Sequence, residues 1–474
     1  MSLKLLAVVT LYHGALLCTG FNIDERFPVI KEGLTKGSFF GFSVALHRQT
    51  EGTAKYLLLA GAPKEKAWSL PNVNETGAVF SCPITTDSND CTRMDLLTST
   101  DSSELVEGMW LGATVTSQRD QPGRMLACGH RYVKIFRTGR DEHYRMVGKC
   151  FVRGNDLTFD PSDVWQSDDR EVCDPNGDFE NEGMCNMGIS GGMTDTDVYL
   201  GATGSYMWQG NVYIIWRDPN PDEIWNSEQK KFGQFFKYRH SYIGYSVAME
   251  KKLLALNEYT VVTGAPRDES RGSVLLAVTD LNNDDWNDLI VGAPFYFDRM
   301  KERGGAVYVY MNENGSFQKK PTLILTGPAS SGFGFALAAI GDINQDGFQD
   351  FAVGAPFHET GQVYIWTEVN RGSRRTYTFG YSINGGIDMD ENSYPDLLVG
   401  SLDDRIALLS ITAIVCMSFT LSNGNKNFKR AINVNYTVEA DMDTRKSARV
   451  TLKLSVVTPL RDKLEPVVSL STFP

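Results

Sequence analysis

Three acidic stretches, each running straight into an apolar strand, limit what this chain can fold into. They read DLNNDDWNDLIVGAPF from Asp280, DINQDGFQDFAVGAPF from Asp342 and DMDENSYPDLLVGSL from Asp388. Side-chain oxygens recur at positions 1, 3, 5 and 9 of each. These are Asp280, Asn282, Asp284 and Asp288, then Asp342, Asn344, Asp346 and Asp350, then Asp388, Asp390, Asn392 and Asp396. The carbonyl at position 7, from Trp286, Phe348 or Tyr394, would add a ligand. Calcium takes roughly six to eight oxygens, and alternating oxygen-bearing residues wrap it. An EF-hand also needs a bidentate Glu at position 12. Here that position is Val291, Val353 or Val399, and a Gly follows each time. An apolar run stopped by Gly is a strand, not an exiting helix. The loops are therefore expected to bind Ca2+ at up to three sites and to brace hairpins. Position 6 calls for a positive φ, which Gly347 adopts freely, whereas Asp285 and Ser393 would adopt it at about 1 kcal/mol.

The loops sit inside a larger period. A unit opens on an aromatic–Gly pair, passes through a loop to Gly-Ala-Pro, and ends on a G-x-V-aromatic strand. FGFSVAL from Phe40 pairs with GAP from Gly61 and GAVF from Gly77. YIGYSVAM from Tyr242 pairs with GAP from Gly264 and GSVL from Gly272, and FGFALAAIGD from Phe333 with GAP from Gly354 and GQVYIW from Gly361. WLGATV from Trp110, CNMGISGG from Cys185, GAP from Gly292 and FGYSI from Phe379 mark further units. Short strands recurring at this spacing, punctuated by Gly, describe propeller blades, which bury both faces only in a closed ring. The fold class is all-β, a seven-bladed propeller. One interval is short: Gly264 to Gly292 spans 28 residues (292 − 264), and GSVLLAV runs directly into the first acidic loop. About half a blade is absent there, which bears on ring closure.

The 474 residues exceed one ordinary core. A net charge of −12 would repel a phosphate backbone, so nucleic acid is not an expected partner. Residues 1–20 read as a secretory signal, with Lys4 before an apolar stretch and Thr19-Gly20 near the cut. Sequons at Asn74, Asn314 and Asn435 agree with export and glycosylation. Six cysteines fall as close neighbours, Cys82 and Cys91, Cys128 and Cys150, Cys173 and Cys185. Sequential disulfides suit an oxidising compartment, although spacing alone leaves the connectivity open. Cys416 is left over. The longest apolar run after the signal, from Ile406, is too short to span a bilayer.

With these residues in view, the chain resembles an integrin alpha subunit. The repeats match the FG-GAP pattern, and FNIDERF at Phe21 is similar to the family's mature start. FGFSVALHRQTE, MVGKCFVRGNDL, GDINQDGFQD and MDENSYPDLLVGSL most resemble the laminin-binding class. The resemblance implies a propeller over residues 21–410 and a partial immunoglobulin-like thigh sandwich over 411–474. It implies pairing with an integrin beta subunit through aromatics that receive a basic side chain. Position by position these would be Phe39, Phe42, Trp110, Tyr245 and Tyr381. It also implies an extracellular-matrix ligand, laminin, contacted by loops that include Tyr206 and Trp208. Cell-surface anchoring would need a C-terminal membrane segment that this chain lacks; without one the product would be secreted.

Two rival classes stand beside this reading. One is a secreted FG-GAP-repeat hydrolase, yet the chain has no H-E-x-x-H and no G-x-S-x-G. No catalytic residues are assigned, and the expectation is that the chain is not an enzyme. The other is a truncated, soluble adhesion decoy.

Overall fold

A computed structural model describes residues 18–23, 28–50, 55–68, 70, 72–119, 123–167, 173–178, 180–216, 229–231, 240–268, 275–367 and 379–416. The chain divides into two compact units. One holds Ile23–Ile411, and the other joins Met1–Asn22 to Thr412–Pro474. The strands Cys18–Ile23 and Ile411–Cys416, all but Ile23 and Ile411 in the second unit, form a two-stranded sheet. The remainder of the thigh expectation, most of the signal reading and the Asn435 sequon lie outside the described residues.

The Ile23–Ile411 unit is a seven-bladed β-propeller. Its innermost strands are Ser43–Gln49, Thr114–Ser117, Met187–Met193, Val247–Glu250, Leu275–Thr279, Ala336–Gly341 and Ser382–Ile387. Each packs against the next, and the last returns to the first, so the ring closes. Antiparallel neighbours extend each blade outward. The seventh blade takes its outermost strand, Val29–Glu32, from the other end of the unit, in register against Arg405–Leu409. That exchange ties the two ends of the ring by backbone hydrogen bonds.

The glycines explain how the blades can sit so close. A Cβ at the Gly of G-A-P would fall 1.9 Å from a carbonyl oxygen of the next blade at Gly61, and 2.1 Å at Gly354 and Gly400. Each target oxygen belongs to an opening Gly: Gly112, Gly380 and Gly41. Side chains are excluded at both motifs because backbone meets backbone there. The apolar core lies between sheets. Phe40, Leu46, Leu58 and Phe80 of blade 1 pack with Leu398, Ile406 and Leu408 of blade 7.

The fourth blade corrects one expectation. GSVLLAV does not close that blade; Leu275–Thr279 is instead the innermost strand of the fifth, paired with Asp288–Asp298. One segment thus stands where a complete repeat would supply two, and the first acidic loop keeps a strand on each side. Among the described residues the fourth blade has Val247–Glu250 and Thr260–Thr263. The missing half-blade does not prevent closure, because every innermost strand is still present.

Candidate metal centres and the axial aromatic cluster

Each acidic loop joins an innermost strand to the second strand of its blade. The three loops share one hydrogen-bond lattice. The position 1 carboxylate accepts the N–H groups of positions 5 and 6: Asp280 from Asp284 and Asp285, Asp342 from Asp346 and Gly347, Asp388 from Asn392 and Ser393. The position 9 carboxylate accepts the N–H of position 2, from Leu281, Ile343 or Met389, at 2.7–2.9 Å. The turn residue is left-handed in all three, with φ 71° at Asp285, 92° at Gly347 and 75° at Ser393. The departures from Gly therefore keep the loop's shape.

The donor set fits a hard divalent cation. Asp388, Asp390 and Asp396 bring carboxylate oxygens within 4.8 Å of one another. The position 9 acids, Asp288, Asp350 and Asp396, are buried. Burial, with Asp284 and Asp280 adding to it against two backbone donors, pushes Asp288 up to about 6. Burial, with Asp346 and Asp342 adding, pushes Asp350 up to about 7. Among the described residues no lysine or arginine pairs with these six acids of the first two loops; Lys252 pairs instead with Asp285 at 3.2 Å. A buried carboxylate beside two more exposed ones, with no protein counter-cation among the described residues, suits a metal ion. Three carboxylates and one amide per loop are oxygen ligands suited to calcium. The N–H groups of Trp286, Phe348 and Tyr394 bond to the position 5 side chain at 2.8–2.9 Å, which seats the position 7 backbone at the same turn.

At the opposite end of the innermost strands lies an aromatic cluster. Trp110 meets Phe42 at 5.7 Å between centroids, Phe42 meets Tyr381 at 5.2 Å, and Tyr381 meets Phe335 at 4.8 Å. These rings come from blades 2, 1, 7 and 6. Burial, with nearby Tyr245 adding, pushes the Tyr381 phenol up to about 12. Phe335 is absent from the residues singled out above, yet it follows its opening Gly as Phe42, Tyr245 and Tyr381 follow theirs. That register could have found it.

A second register explains Phe39. The residue two before the opening Gly is left-handed at Phe39, Trp110 and Tyr242, with φ 59°, 61° and 61°. Each of these rings carries a cation from its own blade: Lys64 at 4.6 Å, Arg131 at 5.3 Å and Arg267 at 5.1 Å. Phe39 therefore stands apart from the Phe42 cluster, already engaged by Lys64.

Tyr206 and Trp208 lie in a run, Tyr206 to Trp208, with φ of 52–60°. Consecutive left-handed residues are costly and persist only when held. The Tyr206 hydroxyl donates to Glu182 at 2.9 Å, and buried Tyr213 donates to the same carboxylate at 2.6 Å. Trp208 stacks on His240 at 6.2 Å. The disulfides are Cys82–Cys91, Cys128–Cys150 and Cys173–Cys185. Asn74 and Asn314 are exposed. Among the described residues no helix is long and apolar enough to cross a membrane.

The FG-GAP repeat family matches residues 272–310 and 333–366. Integrin alpha-3 of Mus musculus is 42% identical across 94% of this chain and 51% of its own length. Integrin alpha-7 of Rattus norvegicus is 37% identical across 84% of this chain and 39% of its own. Integrin alpha-6 of Gallus gallus is 34% identical across 94% and 49%. The chain spans about half the length of the first of these relatives or less. These relatives are adhesion-receptor subunits and not hydrolases. With the repeats, the ring and the acidic hairpins all in place, the chain belongs to the integrin alpha-subunit family.

Proposed function

We propose that this chain acts in cell–matrix adhesion as an integrin alpha subunit that pairs with a beta subunit and binds laminin. Calcium in the three loops stiffens the hairpins, and the aromatic end of those hairpins receives the partner. The observation that carries this reading is the continuous line Trp110–Phe42–Tyr381–Phe335 across four adjacent blades. Half-exposed rings grouped around an axis offer faces to one cationic side chain. Phe39 and Tyr242 already hold cations of their own chain, so the residues after the opening Gly are the freer faces. Phe42, Tyr245, Phe335 and Tyr381 are thus the proposed beta-subunit contacts, with Trp110 at their margin. Tyr206 and Trp208, on a loop stiffened by Glu182, are proposed to meet the matrix ligand; rigid aromatics make good anchors.

The test is co-expression with an integrin beta-subunit ectodomain, followed by pull-down and laminin capture in calcium and magnesium. Wild type should co-purify. Phe335→Ala with Tyr381→Ala should weaken pairing at least tenfold, while Trp208→Ala should spare pairing and reduce laminin capture. Normal pairing by the double variant would sink the assignment.

A further inference from the structure

A hairpin joins the second and third strands of the first blade, Lys55–Ala62 and Ala78–Pro83. Its arms meet at a Lys66–Glu75 bridge, and the Ala67 N–H donates to the Asn74 carbonyl at 3.0 Å. Trp68 follows Ala67 and is 65% exposed. The Arg93 guanidinium lies over one face of the indole, 5.5 Å from the ring centroid. Carbonyls from both arms hold it there, Lys66 at 2.6 Å and Gly77 at 3.5 Å. The exposure of Trp68 therefore belongs mainly to its other face and its edge.

Trp68, Arg93 and Asp95 line a cavity of about 230 Å3, with Ala78 and Leu111 among its apolar walls. That is below the roughly 300–1,000 Å3 of a site for a drug-sized ligand and suits one sugar ring. Asn74 is the source of such a ring. It is exposed and heads the sequon Asn74-Glu75-Thr76. The three disulfides agree with the oxidising compartment in which sequons are used.

We propose that the first N-acetylglucosamine of a glycan on Asn74 packs on Trp68 and reaches into this cavity. This requires an occupied sequon and is independent of the adhesion reading. In the attachment step the Asn74 side-chain nitrogen bonds to C1 of the sugar and gives up a proton. The leaving group at C1 is the diphosphate of a lipid-linked oligosaccharide. Paired strands lie about 4.8 Å apart and rise about 3.4 Å per residue, so Trp68 is about 6 Å from Asn74 across the hairpin. An asparagine side chain carrying one sugar covers that distance. The C–H face of a pyranose packs against an indole, whose negative π face attracts those hydrogens. The hydroxyl and acetamide groups find an acceptor in Asp95 and donors in Arg93. Tethering makes the contact intramolecular, at an effective concentration of about a millimolar. A face that binds free sugar only at millimolar strength is then filled about half the time.

Hydroxyl-radical footprinting of the full chain, secreted from cells that add N-glycans and read by mass spectrometry, tests this. The glycopeptide mass gives occupancy at Asn74. Asn74→Gln keeps an amide at this exposed position but accepts no glycan. Oxidation of Trp68 should rise about twofold or more in that variant, while Phe297, exposed on the fifth blade, stays unchanged. Should the variant fail to fold, enzymatic removal of the whole glycan from folded wild type should give the same rise. Trimming wild type to a single N-acetylglucosamine should keep Trp68 protected, because the first ring makes the contact. An unmodified Asn74 would overturn the proposal at the sequon. Equal Trp68 oxidation with and without the glycan would overturn it at the packing. Protection lost on trimming would overturn it too, since outer sugars would then be shading the ring.

Discussion

Lys31 shows how much one side chain can hold. It lies on the strand that closes the ring and is fully buried. Its ammonium donates to the Thr85 carbonyl and hydroxyl, the Asp87 carbonyl and the Asp90 carboxylate at 2.6–3.2 Å. Those oxygens belong to the loop that Cys82–Cys91 closes, so a blade 7 strand is clamped to blade 1. Lys31→Met would take the cation from Asp90, which keeps the Thr85 hydroxyl and some solvent, and stability should fall by about 2 kcal/mol in urea unfolding. An unchanged midpoint would refute the clamp. His130, beside Trp110, behaves differently. Burial, with Arg131 adding, lowers its pKa to about 4. The folded protein thus holds it neutral where the unfolded chain, near 6.5, takes up a proton. Its contribution is constant above about pH 6.5 and is lost as pH falls toward 4, by up to about 1.4 kcal/mol per pH unit. His130→Gln should flatten the stability–pH curve in that window relative to wild type. At this scale the shared lattice of the acidic loops was legible in the sequence, because an oxygen-bearing side chain every second residue is a local pattern. Lys31 was not, since its partners lie more than 50 residues away. Nor were the cations on Phe39 and Tyr242, which only the blade register brings together.

The hairpin is the element that couples the two ends of the site. Ala336–Gly341 and Asp350–Ala355 run from the aromatic end at Phe335 to the acidic loop at Asp342. Six residues of strand span about 20 Å, so an ion at one end acts on the other only by stiffening what lies between. Chelation should therefore lower the melting temperature, and readdition of calcium should restore it, as for any ligand that binds only the folded state. Asp350→Asn should abolish the response of its own loop and leave two sites titratable. Terbium excited through tryptophan should report the first loop through Trp286 and the second through Trp366, which stacks on Phe351 beside Asp350, and Asp288→Asn should remove the first loop's share of the emission. Equal emission after Asp288→Asn would mean that the first loop holds no ion. The repeat signature made these hairpins readable from sequence. It misassigned Leu275–Thr279, since a strand's blade is set by which neighbour it pairs with, and a half-deleted unit leaves two neighbours available.

At the scale of the ring, closure depends on seven innermost strands rather than on seven complete blades. Backbone contact at paired glycines, such as Gly400 with Gly41, joins blade to blade, and among the described residues no such pair joins the fifth blade to the fourth. Stability should therefore be uneven around the circle. Local opening is cheapest where few apolar groups are buried and backbone bonds face solvent. The fourth blade meets both conditions: Thr260–Thr263 has no fully buried residue, while Asp350–Ala355 and Asp396–Ser401 are buried throughout. Native-state hydrogen exchange should rank Val247–Glu250 and Thr260–Thr263 as the least protected of the described inner and second strands. Calcium should raise protection in blades 5, 6 and 7, whose hairpins carry the loops, and leave the fourth unchanged. Uniform protection would mean that the ring opens only as a whole and that closure, not blade completeness, sets local stability. Protection of the fourth blade rising with calcium in step with its neighbours would mean that the first loop braces across the junction made by Leu275–Thr279. The strand shared between two repeats would then transmit order from the metal-bearing side of the ring to the incomplete one.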